Sequence, residues 1–167
     1  MANESDPSPI GLFNYAHSFL GAARALASSD WRSHETHPTS PQEFLYWHSI
    51  ELFLKAFLLA DGVSLERLKS RGFGHDISKL VAESTQRGLR LSEEDLATVG
   101  FMESASALID LRYLEIGPRY VPTFESLDQT CLSIYRSVGE ELVKREIPIG
   151  FHALELTQMR PVRIDKH

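Results

Sequence analysis

The chain has 167 residues, 43% of them hydrophobic and 24% charged, enough for one domain with a sizeable core. Seventeen Lys and Arg against 23 Asp and Glu give a net charge of -6, which disfavours broad, non-specific binding to nucleic acid but leaves room for a local positive pocket. Cys131 is the only cysteine, so an intrachain disulfide and a cysteine-based zinc site are excluded and a reducing, cytoplasmic setting is the simplest expectation.

Residues 1–8 are polar and read as a disordered start; the stretch has no basic, apolar signal-peptide pattern. "PIGLFNYAHSFLGAARALASS" then places Leu12, Tyr15, Phe19, Ala23 and Leu26 at helical spacing, and its low charge content predicts a first helix with most of its surface covered. After the polar loop "DWRSHETHPTSP", Pro41 suits the first turn of a second helix that runs to Asp61 and stops at Gly62. "SLERLKSRGFG" is a short amphipathic turn of helix, and Asp76 reads as the N-cap of "ISKLVAESTQRG". Ser92 and Asp95 open the next helix as a capping box with Asp in place of Glu. Gly117, Pro118 and Pro122 interrupt it, and Thr123 caps a last helix with Phe124, Leu127, Cys131, Ile134, Val138 and Leu142 on one stripe. Strand alternation is lacking before Ile147, and residues 147–167 form a tail or arm. The prediction is an all-α, up-and-down helical bundle of about five helices over residues 9–146. Its most apolar window, Phe44 to Ala60, is shorter than a usual bilayer span and carries the ionisable residues His48, Glu51 and Lys55, so no membrane segment is expected.

Those three residues pose the main question. Apolar side chains spread around nearly the whole second helix, yet His48, Glu51 and Lys55 share one narrow stripe. A helix that is apolar all round is buried at the centre of a bundle or in a subunit interface. In a dry core the desolvation of an ion pair rivals its Coulomb gain, so the stripe points to specificity, assembly or a site as well as to packing.

Two further clusters carry chemistry. In "GFGHDISKL" the glycines permit sharp turning, Asp76 caps, and His75 stands just outside a helix N-terminus whose N–H groups can receive phosphate. His75 can equally bond a backbone carbonyl or the Glu51 carboxylate. In "DLRYLEIGPRYVPT" Arg112, Tyr113, Arg119 and Tyr120 bracket a Gly-Pro turn; guanidinium groups grip phosphate and Tyr rings stack on bases. His34 and His37 in "HETH" lack further ligands in sequence, so no metal and no cofactor is expected. Cys131 lies on an apolar stripe, as an inert core thiol does.

"HSIELFLKAFLL", then "GHDISKL", then "LRY" before a proline-containing loop resemble, in order and spacing, the HEPN superfamily of small helical domains. The resemblance covers about residues 10–145. It implies a helical bundle that pairs as a homodimer, here through the second helix, with polar groups meeting near the dimer cleft. Many HEPN proteins are metal-independent ribonucleases, some acting as toxins beside a small nucleotidyltransferase antitoxin. Their signature is an Arg, four to six residues, then a His. Arg112 matches the Arg, but "YLEIGPR" holds no His and Arg119 stands at the last place for one, so the motif is incomplete.

The leading expectation is therefore a non-catalytic, homodimeric HEPN-like module that binds nucleotide or RNA phosphate in a cleft. Lys55, Arg119, Tyr113 and Tyr120 would contact the ligand, and His48, Glu51 and Asp76 would orient the site. The enzymatic alternative is an endoribonuclease with His75 as acid or base and Arg112 as charge clamp. A third is a structural adaptor or antitoxin-like partner without a small-molecule site.

Overall fold

The computed structural model describes residues 6–29, 40–104 and 122–149. Every regular element among them is helical: α1 (Pro9–Ala27), α2 (Ser40–Ala60), α3 (Leu65–Lys69), α4 (Ile77–Gln86), α5 (Glu93–Ser104) and α6 (Phe124–Lys144). Short polar side chains start them as the sequence suggests. Ser8, Ser64, Asp76 and Thr123 each accept a backbone N–H from the first turn that follows. Ser92 and Asp95 close a reciprocal box, the Ser92 N–H donating to Asp95 Oδ2 at 3.0 Å and the Asp95 N–H to Ser92 Oγ at 3.1 Å. Gly62 ends α2 with φ +84°, a left-handed conformation that favours glycine.

The all-round apolar character of α2 is accounted for by its position at the centre of the bundle, packed by α1, α3, α4 and α6. Every residue from Glu51 to Leu58 is buried within the single chain. Apart from exposed Pro41, α2 keeps only half-covered side chains such as Phe44, Leu45 and Leu59 for a second copy. The apolar surface that motivated pairing through this helix is thus already used.

Side-chain links fix the helix directions. Ser49 Oγ donates to the Ala16 carbonyl at 2.7 Å and Phe53 meets Phe13 edge-on at 5.2 Å, so α1 runs antiparallel to α2. Tyr46 reaches Asp128 and Asp61 reaches Arg145, so α6 runs parallel to α2. His75 lies beside Glu51 and Arg87 beside Asp61, which makes α4 parallel to it as well. The C-terminal ends of α2, α4 and α6 therefore gather around Asp61, whose carboxylate accepts from Arg87 and Arg145 at 2.9 Å each. Cations belong at such ends, where helix dipoles present partial negative charge.

On α1 Phe13, Ala16, Leu20, Ala23 and Arg24 are buried, Leu12 and Phe19 are partly buried against the core, and Tyr15 is 56% exposed. Of the residues picked out by spacing, Ala23 is thus fully covered and Tyr15 is not. The deepest contact is at Ala16, whose small side chain lets α2 approach closely enough for its carbonyl to accept from Ser49.

Candidate functional site

Glu51 is the focus of the polar stripe, with 1% of its surface exposed. Lys55 Nζ, one turn on, donates to Glu51 Oε1 at 2.5 Å, and its side chain is 10% exposed. His75 Nδ1 lies 3.2 Å from the same oxygen, with 40% of its side chain exposed. The cluster is thus a buried carboxylate, a nearly buried ammonium and an imidazole that forms the solvent face. Among the described residues, Glu51 Oε2 is buried without a hydrogen-bond partner, and so is Trp47 Nε1, one helical turn earlier.

A second buried network on α2 shows what full satisfaction looks like. Asp128 Oδ1 accepts from Arg24 Nε at 2.7 Å and from the Tyr46 hydroxyl at 3.1 Å, while Oδ2 accepts from Arg24 Nη2 at 3.0 Å. Burial, then the Asp128 charge beside it, drives the Tyr46 hydroxyl far above the usual phenol range. This network ties α1, α2 and α6 together with both carboxylate oxygens engaged. Sequence reasoning missed it, although Arg24 is the one Lys or Arg in α1, among residues that otherwise bury or stay neutral.

The loop before α4 positions His75. Gly74 N–H donates to the Ser70 carbonyl at 2.7 Å, and a Cβ at Gly74 would sit 1.9 Å from the Leu68 carbonyl oxygen. Glycine is therefore required by close backbone approach. The neighbouring Gly72 has open space around it, and its carbonyl accepts from Lys79 Nζ at 2.7 Å. The Arg67 guanidinium covers the Phe73 ring at 4.5 Å and pairs with Glu83, pinning the loop to α4.

Asp76 accepts from the Lys79 N–H at 3.1 Å and pairs with Lys79 Nζ at 2.9 Å. Burial by itself would raise its pKa, but the bonds from Lys79 outweigh that and hold the carboxyl below the usual carboxylate range. The start of α4 is thus closed by its own carboxylate, which occupies the place a phosphate would take. His48 is half-buried, stacked on Phe44 with centroids 5.6 Å apart and edge-on to Phe19 at 4.5 Å. Cys131 is fully buried and donates to Ser49 Oγ at 3.3 Å; burial pushes its thiol up to about 12, the behaviour of an inert core cysteine.

Of the nine residues singled out from the sequence, Glu51, Lys55 and His75 come together, Asp76 stands next to them as a cap, and His48 packs among aromatic rings. Arg112, Tyr113, Arg119 and Tyr120 lie outside the described residues, as do His34 and His37. Among the described residues, no three His, Cys, Asp or Glu are grouped to hold a metal ion, and no helix is long and apolar enough to cross a membrane. Comparison with protein families, with curated proteins and with solved structures returns no match to this chain.

Proposed function

We propose that the protein is a non-catalytic HEPN-like module that recognises phosphate groups of a nucleotide or of RNA at the His75 side of this cluster. The observation that carries the reading is the half-satisfied Glu51: a buried charge that holds a lysine and a partly exposed histidine together while one of its own oxygens stays unbonded. Glu51 acts here by positioning. Lys55 offsets its charge, and His75 in its protonated form adds a positive donor where solvent reaches the cluster. Arg112 and Arg119 supply the bidentate grip and Tyr113 and Tyr120 the stacking; these four enter from the sequence alone. The net charge of -6 fits a confined pocket better than an extended basic track.

Fluorescence anisotropy of labelled nucleotide and short RNA across a salt series tests the reading. Affinity that falls as salt rises is expected, with Arg112→Ala and His75→Ala each weakening it about tenfold in a folded protein. An absence of salt-sensitive affinity, or unchanged binding in Arg112→Ala, overturns it.

A second reading, an endoribonuclease, is favoured by one contact, the 3.2 Å approach of His75 Nδ1 to Glu51. With the proton on Nδ1, the ring donates to the carboxylate and leaves the Nε2 lone pair for proton transfer. Cleavage of RNA by the purified protein, lost in His75→Ala without unfolding, selects this reading over simple binding.

A further inference from the structure

Of the four buried carboxylates among the described residues, Glu43, Glu51, Asp95 and Asp128, the last three can be compared by their counter-charges. Glu51 has Lys55 and Asp128 has Arg24, but Asp95, 3% exposed, makes no salt bridge among the described residues. Its hydrogen bonds converge on one oxygen: Oδ2 accepts from the Ser92 N–H at 3.0 Å and from the Ser133 hydroxyl at 2.7 Å. Oδ1 takes neither. Asp95 gains from the capping box and from the N-terminus of α5, yet its charge meets no side-chain cation among the described residues, and its Oδ1 is left to accept a further donor.

Asp95 lines a cleft of about 370 Å³ between the start of α5 and the first half of α6. Thr98 and Thr130, 8% and 2% exposed, line the same cleft, and no hydrogen bond within the described residues occupies their hydroxyls. Glu94, Ser126 and Gln129 add to its polar wall, and among the described residues neither Lys nor Arg lines it. Glu94 is exposed, so it adds negative potential at the rim.

We infer that this cleft binds a small organic cation through a primary ammonium group, with Asp95 Oδ1 as counter-charge and the Thr98 and Thr130 hydroxyls as further acceptors. An ammonium has three N–H donors and no acceptor, matching these three oxygens. A phosphate or carboxylate ligand would face two carboxylates without a cation and is rejected by the same charges. A bare metal ion fills a volume on the order of that of one water, about 30 Å³, and would leave most of the cleft unfilled. The alkyl part of an organic cation accounts for the remaining room. This site is separate from the Glu51 cluster and has the opposite charge preference.

Isothermal titration calorimetry of the full chain with putrescine at low salt tests the inference, with potassium chloride and butanediol as the bare-ion and neutral controls. Saturable one-to-one binding of putrescine is expected, competed by neither control. Thr130→Val, which keeps the shape and removes the hydroxyl, weakens it about tenfold, as loss of a hydrogen bond to a charged group does. Asp95→Asn keeps an oxygen for the Ser92 N–H and abolishes binding. Should Asp95→Asn fail to fold, Thr130→Val and the two controls decide the matter. No saturable binding of putrescine, equal binding of butanediol, full competition by potassium, or an unchanged affinity in Thr130→Val overturns the assignment.

Discussion

Replacing Lys55 by Met while Glu51 stays in place measures what the ion pair on α2 contributes. At an effective dielectric of about 20, two unit charges about 4 Å apart attract by about 4 kcal/mol, and desolvating the two ions costs several kcal/mol each. The pair, with side chains 10% and 1% exposed, therefore brings little net stability over apolar groups of the same shape. Removing one ion is different. Lys55→Met leaves the Glu51 carboxylate buried with His75 as its one remaining hydrogen-bond partner, and a loss of about 3–5 kcal/mol is expected. Glu51→Leu should cost less, about 1–3 kcal/mol, because the flexible lysine stem can carry its ammonium outward. The double variant should return to within about 1 kcal/mol of the parent or exceed it, a coupling of several kcal/mol against about 0.3–0.5 kcal/mol for an exposed helix pair. Urea denaturation followed by far-UV circular dichroism reads all four proteins, provided that the slope with denaturant is constant. Small, additive single effects would refute the burial argument, and a double variant as unstable as Lys55→Met would refute the desolvation argument. Anisotropy on the double variant adds the functional side. A folded protein that no longer binds RNA supports a positioning role, and unchanged binding assigns the pair to packing alone.

Gly74→Ala should destabilise by about 1–3 kcal/mol or more in the same assay, because its Cβ would meet the Leu68 carbonyl oxygen at 1.9 Å, and it should weaken RNA binding by moving His75 off Glu51; stability within error of the parent would show that the loop yields freely. The Cys131 thiol, pushed up to about 12 by burial, should react with a thiol reagent near pH 8 only as fast as the chain unfolds, so denaturant should accelerate the reaction in parallel with loss of helix. Bonds from Arg145 and then Arg87 hold the Asp61 carboxyl below the usual carboxylate range, so its contribution is present above that range and is lost as pH falls through the lowered value. Asp61→Asn should accordingly be less stable than the parent at neutral pH, and the gap should close below about pH 4 in acid-denaturation curves; a gap independent of pH would place the effect in packing.

What the sequence made legible was local. Caps at Asp76, Ser92 and Thr123, the stop at Gly62 and the stripe from Leu127 to Leu142 depend on neighbours within one or two turns, where residue type nearly dictates the bond. The depth of burial along α1 was not local: apolar residues surround much of the helix, and the approach of Ser49 to the Ala16 carbonyl is a contact 33 residues apart. Asp128 lies four residues after Phe124 and three before Cys131, on the core side of its helix. That placement signals a buried charge, but its partners are 104 and 82 residues away, and nothing in the pattern names them. His75 and Glu51 were both visible as polar anomalies, yet their meeting depends on the Ser70–Gly74 turn, where a missing Cβ lets two backbone segments touch.

The contrast between the two buried networks bears on why α2 keeps a charge at all. Natural selection for stability alone tends toward fully bonded polar clusters, since a partly bonded one is worse than an apolar core. The Arg24–Asp128–Tyr46 cluster meets that standard, and it shares α2 with the cluster at Glu51. The same helix is therefore able to satisfy a buried carboxylate on one side. On the other side Glu51 puts both of its bonds on Oε1, Oε2 has none, and the Trp47 indole N–H one turn away is also unbonded. Leu at both 51 and 55 would remove this cost without a change of helix or register. If the proposed positioning role holds, the double-variant cycle should show stability regained at positions 51 and 55 together with binding lost.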